Sequence, residues 1–228
     1  MFDETGVPAH QIRARHDDRT IRVYQAYSPE IGDAALAAGT FVAPFKRARM
    51  TWIKPSFRWM GYRCGWASKP GQERVLALDL TREGFAWALS HAALSHFDPR
   101  VHRDDAAWQA AVRTSPVRVQ WDPERDVHHR PLEHRSIQLG LSGEAVDRYV
   151  DEWITAVTDV TPVMRAIREH LAAARVAEAV ALLPDEPPYP LPAALADAVD
   201  ADPAGVIQAP STERPGTEDP AARAAHAT

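Results

Sequence analysis

From Thr20 to Tyr27 the chain alternates: Ile21, Val23 and Tyr27 fall on one face, Arg22, Tyr24 and Ala26 on the other. A period of two predicts a strand. Ser28 then suits an N-cap, Pro29 the first helical position and Glu30 the first turn, so a helix is expected through Ala34-Ala35-Leu36-Ala37 until Gly39 closes it. Helical spacing returns over residues 56–64, just after Pro55, and Pro70-Gly71 marks a turn. Residues 74–80 form a mostly apolar run that reads as a buried strand, and Thr81 caps a helix reaching about His91. Asp104 or Asp105 opens another helix through Trp108 and Ala111. Val117, Val119 and Trp121 alternate with Arg118 and Gln120 as a strand, and residues 122–134 read as a polar loop. Residues 135–141 alternate again, Ser142 caps a helix running through Trp153, and a last helix spans from Thr161-Pro162 to about Leu183.

Uneven helices lie between at least four strands. That pattern predicts a mixed α+β fold, one domain with a central sheet of at least four strands and flanking helices, rather than a doubly wound sheet. No glycine-rich phosphate loop of either common spacing is present, which argues against a P-loop enzyme and a dinucleotide Rossmann domain.

Composition refines this outline. The 228 residues carry a net charge of −5, but the stretch from Pro184 onward holds eight acids against two arginines, so the preceding part is close to neutral. That last stretch also holds nine prolines. Residues 193–228 are therefore expected to be a disordered acidic tail, residues 1–19 a basic arm, and residues 20–192 the folded domain. No apolar run reaches membrane-spanning length, and the N-terminus lacks the basic and apolar regions of a secretion signal. Together with a single cysteine, Cys64, this predicts a cytoplasmic protein with no membrane partner.

Candidate chemistry concentrates in residues 45–72, which hold seven Lys or Arg, six aromatics and no acid. Guanidinium and ammonium groups suit phosphate, and aromatic faces suit a flat base. The expected ligand is anionic and nucleotide-like. Arg22, Lys54 and Arg63 are candidates for the phosphates; Tyr24, Trp52 and Trp59 are candidates for stacking. The same surface would also serve RNA or another single strand without catalysis. Near the strand at 117–121, Asp122 and Glu124 are candidate catalytic acids, with Glu124 preferred because Pro123 is expected to end the strand and free the next side chain. Cys64 lies among cations, which favour a thiolate. His128, His129 and His134, or His91, His96 and His102, match no metal-ligand spacing, so no metal is expected.

Several motifs resemble domain-of-unknown-function family 4291: Ile21-Arg22-Val23-Tyr24-Gln25-Ala26-Tyr27-Ser28-Pro29-Glu30-Ile31, Met50-Thr51-Trp52-Ile53-Lys54-Pro55-Ser56-Phe57, Gly71-Gln72-Glu73-Arg74-Val75-Leu76, Val117-Arg118-Val119-Gln120-Trp121-Asp122-Pro123-Glu124 and Arg135-Ser136-Ile137-Gln138-Leu139-Gly140-Leu141-Ser142-Gly143. The resemblance covers roughly residues 10–192 and carries kinship without chemistry. More remotely, the order of elements is similar to the ADP-ribosyltransferase superfamily. That resemblance implies NAD as cofactor, held by Arg22 on the first strand, with Thr51 or Ser56 in the middle segment and Asp122 or Glu124 as the late acid. The chain departs from the superfamily pattern in having no His on the first strand and in reading Gln120-x-Asp122 where a Glu would end the motif.

Overall fold

The first strand forms where the alternation places it. In the computed structural model, which describes residues 6–202, β1 (Thr20–Tyr27) buries Ile21 and Val23 in the main core and turns Tyr24 into a second cluster. Helix α1 (Pro29–Ala38) follows and ends on Gly39, whose φ of 72° lies in the left-handed region that glycine enters without a Cβ clash. β2 (Thr51–Ile53) leads into α2 (Phe57–Cys64), where the Ser56 hydroxyl accepts from Trp59 N at 3.0 Å. β3 (Arg74–Thr81) is buried on both faces: Leu76, Leu78 and Leu80 enter the main core, Val75 and Ala77 the second cluster. Its near-continuous apolar reading follows from that double burial.

Helix α3 (Arg82–Ser90) is capped by Thr81, β4 (Ala92–Leu94) follows, and α4 (Asp105–Thr114) is capped by Asp104. β5 (Val117–Arg125) and β6 (Pro131–Leu141) form a long hairpin. The loop expected over 122–134 is thus mostly strand, and only residues 126–130 connect the two. Charged residues mislead here because the distal hairpin is half-exposed. After α5 (Glu144–Arg148) and a π-helical turn, Tyr149–Trp153, comes β7 (Ile154–Asp159). The last predicted helix is two, α6 (Thr161–Ala172) and α7 (Val176–Ala181), because Ala174 adopts a φ of 57° and turns the chain.

The strands make two sheets. One is antiparallel in the order β1-β3-β7; the other runs β2-β6-β5-β4, with β4 parallel to β5 and the remaining pairs antiparallel. They touch edge to edge at one bridge, where Tyr24 N donates to Lys54 O at 2.7 Å and Lys54 N to Tyr24 O at 3.3 Å. The mixed α+β architecture and a four-stranded sheet are as expected, and a separate three-stranded sheet stands beside it.

The ends of the described chain are part of the fold. Residues 10–16 are no free arm: Ile12 and Ala14 are buried, Tyr189 N donates to Ile12 O and Ala14 N to Pro187 O. The disorder expected from residue 193 meets a helix instead, α8 (Ala193–Ala198), followed by a buried Val199 whose carbonyl accepts from Trp121 Nε1 at 2.8 Å. The remainder of that expectation, residues 203–228, lies outside the described residues. A chain ended at Pro192 should therefore melt about 5–10 °C below one ended at Asp202, since one buried valine and one buried hydrogen bond contribute about 2–3 kcal/mol. Thermal unfolding of the two truncations checks this; equal melting temperatures would show that the segment adds nothing.

Candidate ligand-binding cleft

Past the Tyr24–Lys54 bridge, β1 and β2 diverge, and the gap opens into a cleft of about 910 Å³. Diverging strands leave backbone groups without ladder partners, and those groups must be met some other way. Gln25 does so: its Nε2 donates to Trp52 O at 3.1 Å and to Thr51 Oγ1 at 2.6 Å, while its Oε1 accepts from Tyr149 OH at 2.7 Å. Tyr27 OH completes the cluster against Thr51 Oγ1 at 2.8 Å. Burial pushes the Tyr27 phenol up to about 12, so it serves here as a neutral hydroxyl.

The floor follows from strand alternation. Ile53, Leu139 and Val119 turn into the core, which places Trp52, Gln138, Gly140, Gln120 and Asp122 on the opposite face. Trp52 pairs with Gly140, and a Cβ there would lie 2.9 Å from the indole, so only glycine lets the ring lie across β6. Gln120 pairs with Gln138, and Asp122 with Ser136 one step along. Asp122 accepts from Gln120 Nε2 at 3.0 Å and from Gln138 Nε2 at 2.5 Å. Lys54, just after β2, extends the Gln120–Gln138 row toward the sheet junction.

Lys54 is the unusual group. It is only 6% exposed, yet the one hydrogen bond its side chain makes to a described residue is Nζ donating to Trp52 O at 3.2 Å. Burial, reinforced by the Arg63 charge and opposed by Asp122, pushes its pKa down to about 8. Arg63 lines the wall beside Gln72, and Lys46 and Arg49 stand at the rim, where neither makes an ion pair among the described residues. The cleft thus presents several cations against Glu30, the one acid lining it.

The structure sorts the sequence candidates. Trp52, Lys54 and Arg63 line the cleft, and Asp122 sits behind its floor. Four others are not brought there. Arg22 is held by Asp79 through two bonds of 2.7 Å, an ion pair across β1 and β3. Tyr24 is 2% exposed and packs edge-on against Phe57. Ser56 spends its hydroxyl on the α2 cap. Trp59 is buried under the Arg125 guanidinium, 5.6 Å from its ring. Cys64 is buried as well, and burial pushes its thiol up, so the cations around it produce no thiolate. The sequence pattern does not single out Gln25, Gln138 and Tyr27 as site residues. Gln25 carried a signal: a polar side chain on the apolar face of the Ile21, Val23, Tyr27 strand.

Glu124 goes elsewhere. The register shifts between Pro123 and Arg125, and this bulge turns Glu124 into a separate cavity of about 120 Å³ with Arg58, His134 and Glu186. Glu186 Oε1 accepts from Phe57 N at 2.9 Å, meeting an otherwise orphan donor at the start of α2. The residue is part-exposed, but its carboxyl is enclosed. Burial, with Glu124 adding to it, pushes the Glu186 pKa up to about 8 from 4.5. The folded state then holds this proton more tightly than the unfolded chain, so the stabilisation is complete below about pH 4.5 and is lost as pH rises toward 8. Between pH 5.5 and 8.5, Glu186→Gln should lose about 3 kcal/mol less stability than wild type in denaturant titrations. Equal pH slopes would contradict the enclosure of the carboxyl.

Among the described residues, no helix is long and apolar enough to cross a membrane. No curated protein matches the chain. The family model described as a domain of unknown function (DUF4291) matches residues 11–189, which takes in both sheets, the cleft and the Glu186 cavity, and the chain belongs to that family.

Proposed function

We propose that the protein is a nucleotide-binding enzyme of transferase type, ADP-ribosyltransferase-like, with NAD as the donor substrate it consumes. The observation that carries this reading is the polarity of the cleft between the sheets. Lys54 and Arg63, with Lys46 and Arg49 at the rim, suit the pyrophosphate, and Gln120 lies on the floor of the same cleft with Asp122 behind it. Trp52 offers the flat apolar surface for a base or the nicotinamide.

In this reading the bond between the ribose C1′ and the nicotinamide nitrogen breaks, and its electron pair leaves with neutral nicotinamide. Positive charge develops on the ribose, where the Asp122 carboxylate stabilises it. A nucleophile on the acceptor then bonds to C1′ and gives up its proton. The test is nicotinamide release by the wild-type protein with protein and RNA acceptors present. Release above the no-enzyme rate supports the reading; none with either acceptor removes it.

The second reading is a single-stranded nucleic-acid binding surface without catalysis. It draws on Met50, 40% exposed beside Arg49 at the cleft rim. A steep fall in oligonucleotide affinity with salt, without NAD binding, would favour it.

A further inference from the structure

Gln120 and Gln138 have one feature the proposed chemistry does not use. Both amide nitrogens point at Asp122, 3.0 and 2.5 Å away. The assignment of nitrogen and oxygen in such side chains follows from the partner. A carboxylate only accepts, so the reverse orientation would set two carbonyl oxygens against two carboxylate oxygens. Asp122 therefore fixes both amides in one sense. One N–H of each amide is engaged by Asp122, and each Oε1 is free to accept from a ligand. No donor among the described residues hydrogen-bonds either Oε1, and both side chains line the cleft. They are cross-strand partners, so the two acceptors stand side by side on adjacent strands.

We infer that Gln120 and Gln138, oriented by Asp122, form an acceptor pair that selects a ligand head carrying hydrogen-bond donors and rejects one ending in a carboxylate. This rests on the dinucleotide reading and adds to it which end of the ligand lies where. Phosphates go toward Arg63 and the rim cations; the head with the carboxamide NH₂ goes to the glutamines. A carboxylate head would face two carbonyl oxygens with the Asp122 charge behind them, and the nearest ammonium, Lys54, is taken up by the phosphates in this arrangement. A buried polar pair left unmatched discriminates far more strongly than a missing apolar contact.

The chemical pair that isolates this contact is NAD against its deamidated form, in which a carboxylate replaces the nicotinamide carboxamide. Equilibrium binding should show NAD preferred by at least tenfold in the wild-type protein. Gln138→Met and Gln120→Met each remove one acceptor and keep the side-chain length. Each should weaken NAD by about tenfold, leave the deamidated form within about threefold, and so erase most of the preference. Melting temperatures of the two variants, measured alongside, establish that they are folded; should one unfold, the other carries the test. Equal binding of the two dinucleotides by wild type overturns this inference and leaves the dinucleotide reading intact. An unchanged preference in both variants overturns it equally. Binding of neither dinucleotide, at concentrations where other phosphates bind, overturns both.

Discussion

Lys54→Met is expected to give a protein that is more stable than wild type and binds its anionic ligand poorly. The two effects have one cause. Lys54 is held at 6% exposure with its pKa pushed down to about 8 from 10.5, so at neutral pH the fold carries a buried ammonium that it would shed in a less confined site. The shift corresponds to a cost of about 3 kcal/mol. Methionine has similar length and no charge, and Asp122 keeps its two glutamine donors when the ammonium is gone. The melting temperature should rise by several degrees, since 1 kcal/mol is worth about 2–4 °C at this size. Loss of a desolvated charge–phosphate contact should raise Kd roughly thirtyfold or more. The pH dependence gives a separate check. A depressed lysine pKa penalises the folded state below about pH 8, and the penalty fades as pH climbs toward 10.5. The stability gap between variant and wild type should therefore close over that range. If Lys54→Met unfolds, or loses stability while keeping its affinity, Lys54 belongs to the core and has no part in a site.

Asp122→Asn should lower turnover by a hundredfold or more, about 3 kcal/mol of barrier, and weaken NAD by no more than about tenfold, because an Asn no longer fixes both glutamine amides. Glu124→Gln, which removes the same charge one alternation away, should leave turnover within about threefold. The contrast rests on placement. Asp122 lies on the same sheet face as Gln120, Gln138 and Lys54 and is bonded to both glutamines, while the bulge at Pro123–Arg125 sends Glu124 to the cavity shared with Glu186. The measurement is initial-rate nicotinamide release across NAD concentrations, which separates kcat from KM. Equal loss in both variants would mean that neither acid meets the ribose.

These two acids show how far the sequence could be read. The period-two pattern at 117–121 located the strand and put Gln120 and Asp122 on one face, as they are. It gave no sign of the bulge, because Pro123 reads as a strand end whereas here it lies inside β5. Local signals carried well elsewhere. Ser56 before the helical spacing, Gly39 after the alanines and Thr81 before Arg82 all appear as caps or helix ends. What failed was charge bookkeeping across the chain. Arg22 reads as an unassigned cation until Asp79, paired opposite it on β3, is placed beside it. Arg47 likewise meets Asp147 and Asp151. A cation-rich stretch announces itself in the sequence, but which of its members keep their charge for a ligand depends on pairs a hundred residues apart. Strands β2, β4 and β7 escaped for another reason: the first two are three residues each, and β7 is a mostly exposed edge. Short elements carry too few alternations to register a period. Glu186 carried no signal at all, since a Pro-rich acidic stretch gives no reason to expect a carboxyl enclosed at a helix N-terminus.

The central claim is that the cleft between the two sheets holds an NAD-type dinucleotide. Equilibrium dialysis of the wild-type protein against labelled NAD at neutral pH tests it most directly. Saturable binding of one NAD per chain is expected, with Kd on the order of 1–100 μM, lost in Arg63→Ala with the fold intact. No retention of NAD at about 1 mM by folded wild-type protein, where a short single-stranded RNA is retained at low salt, would contradict it.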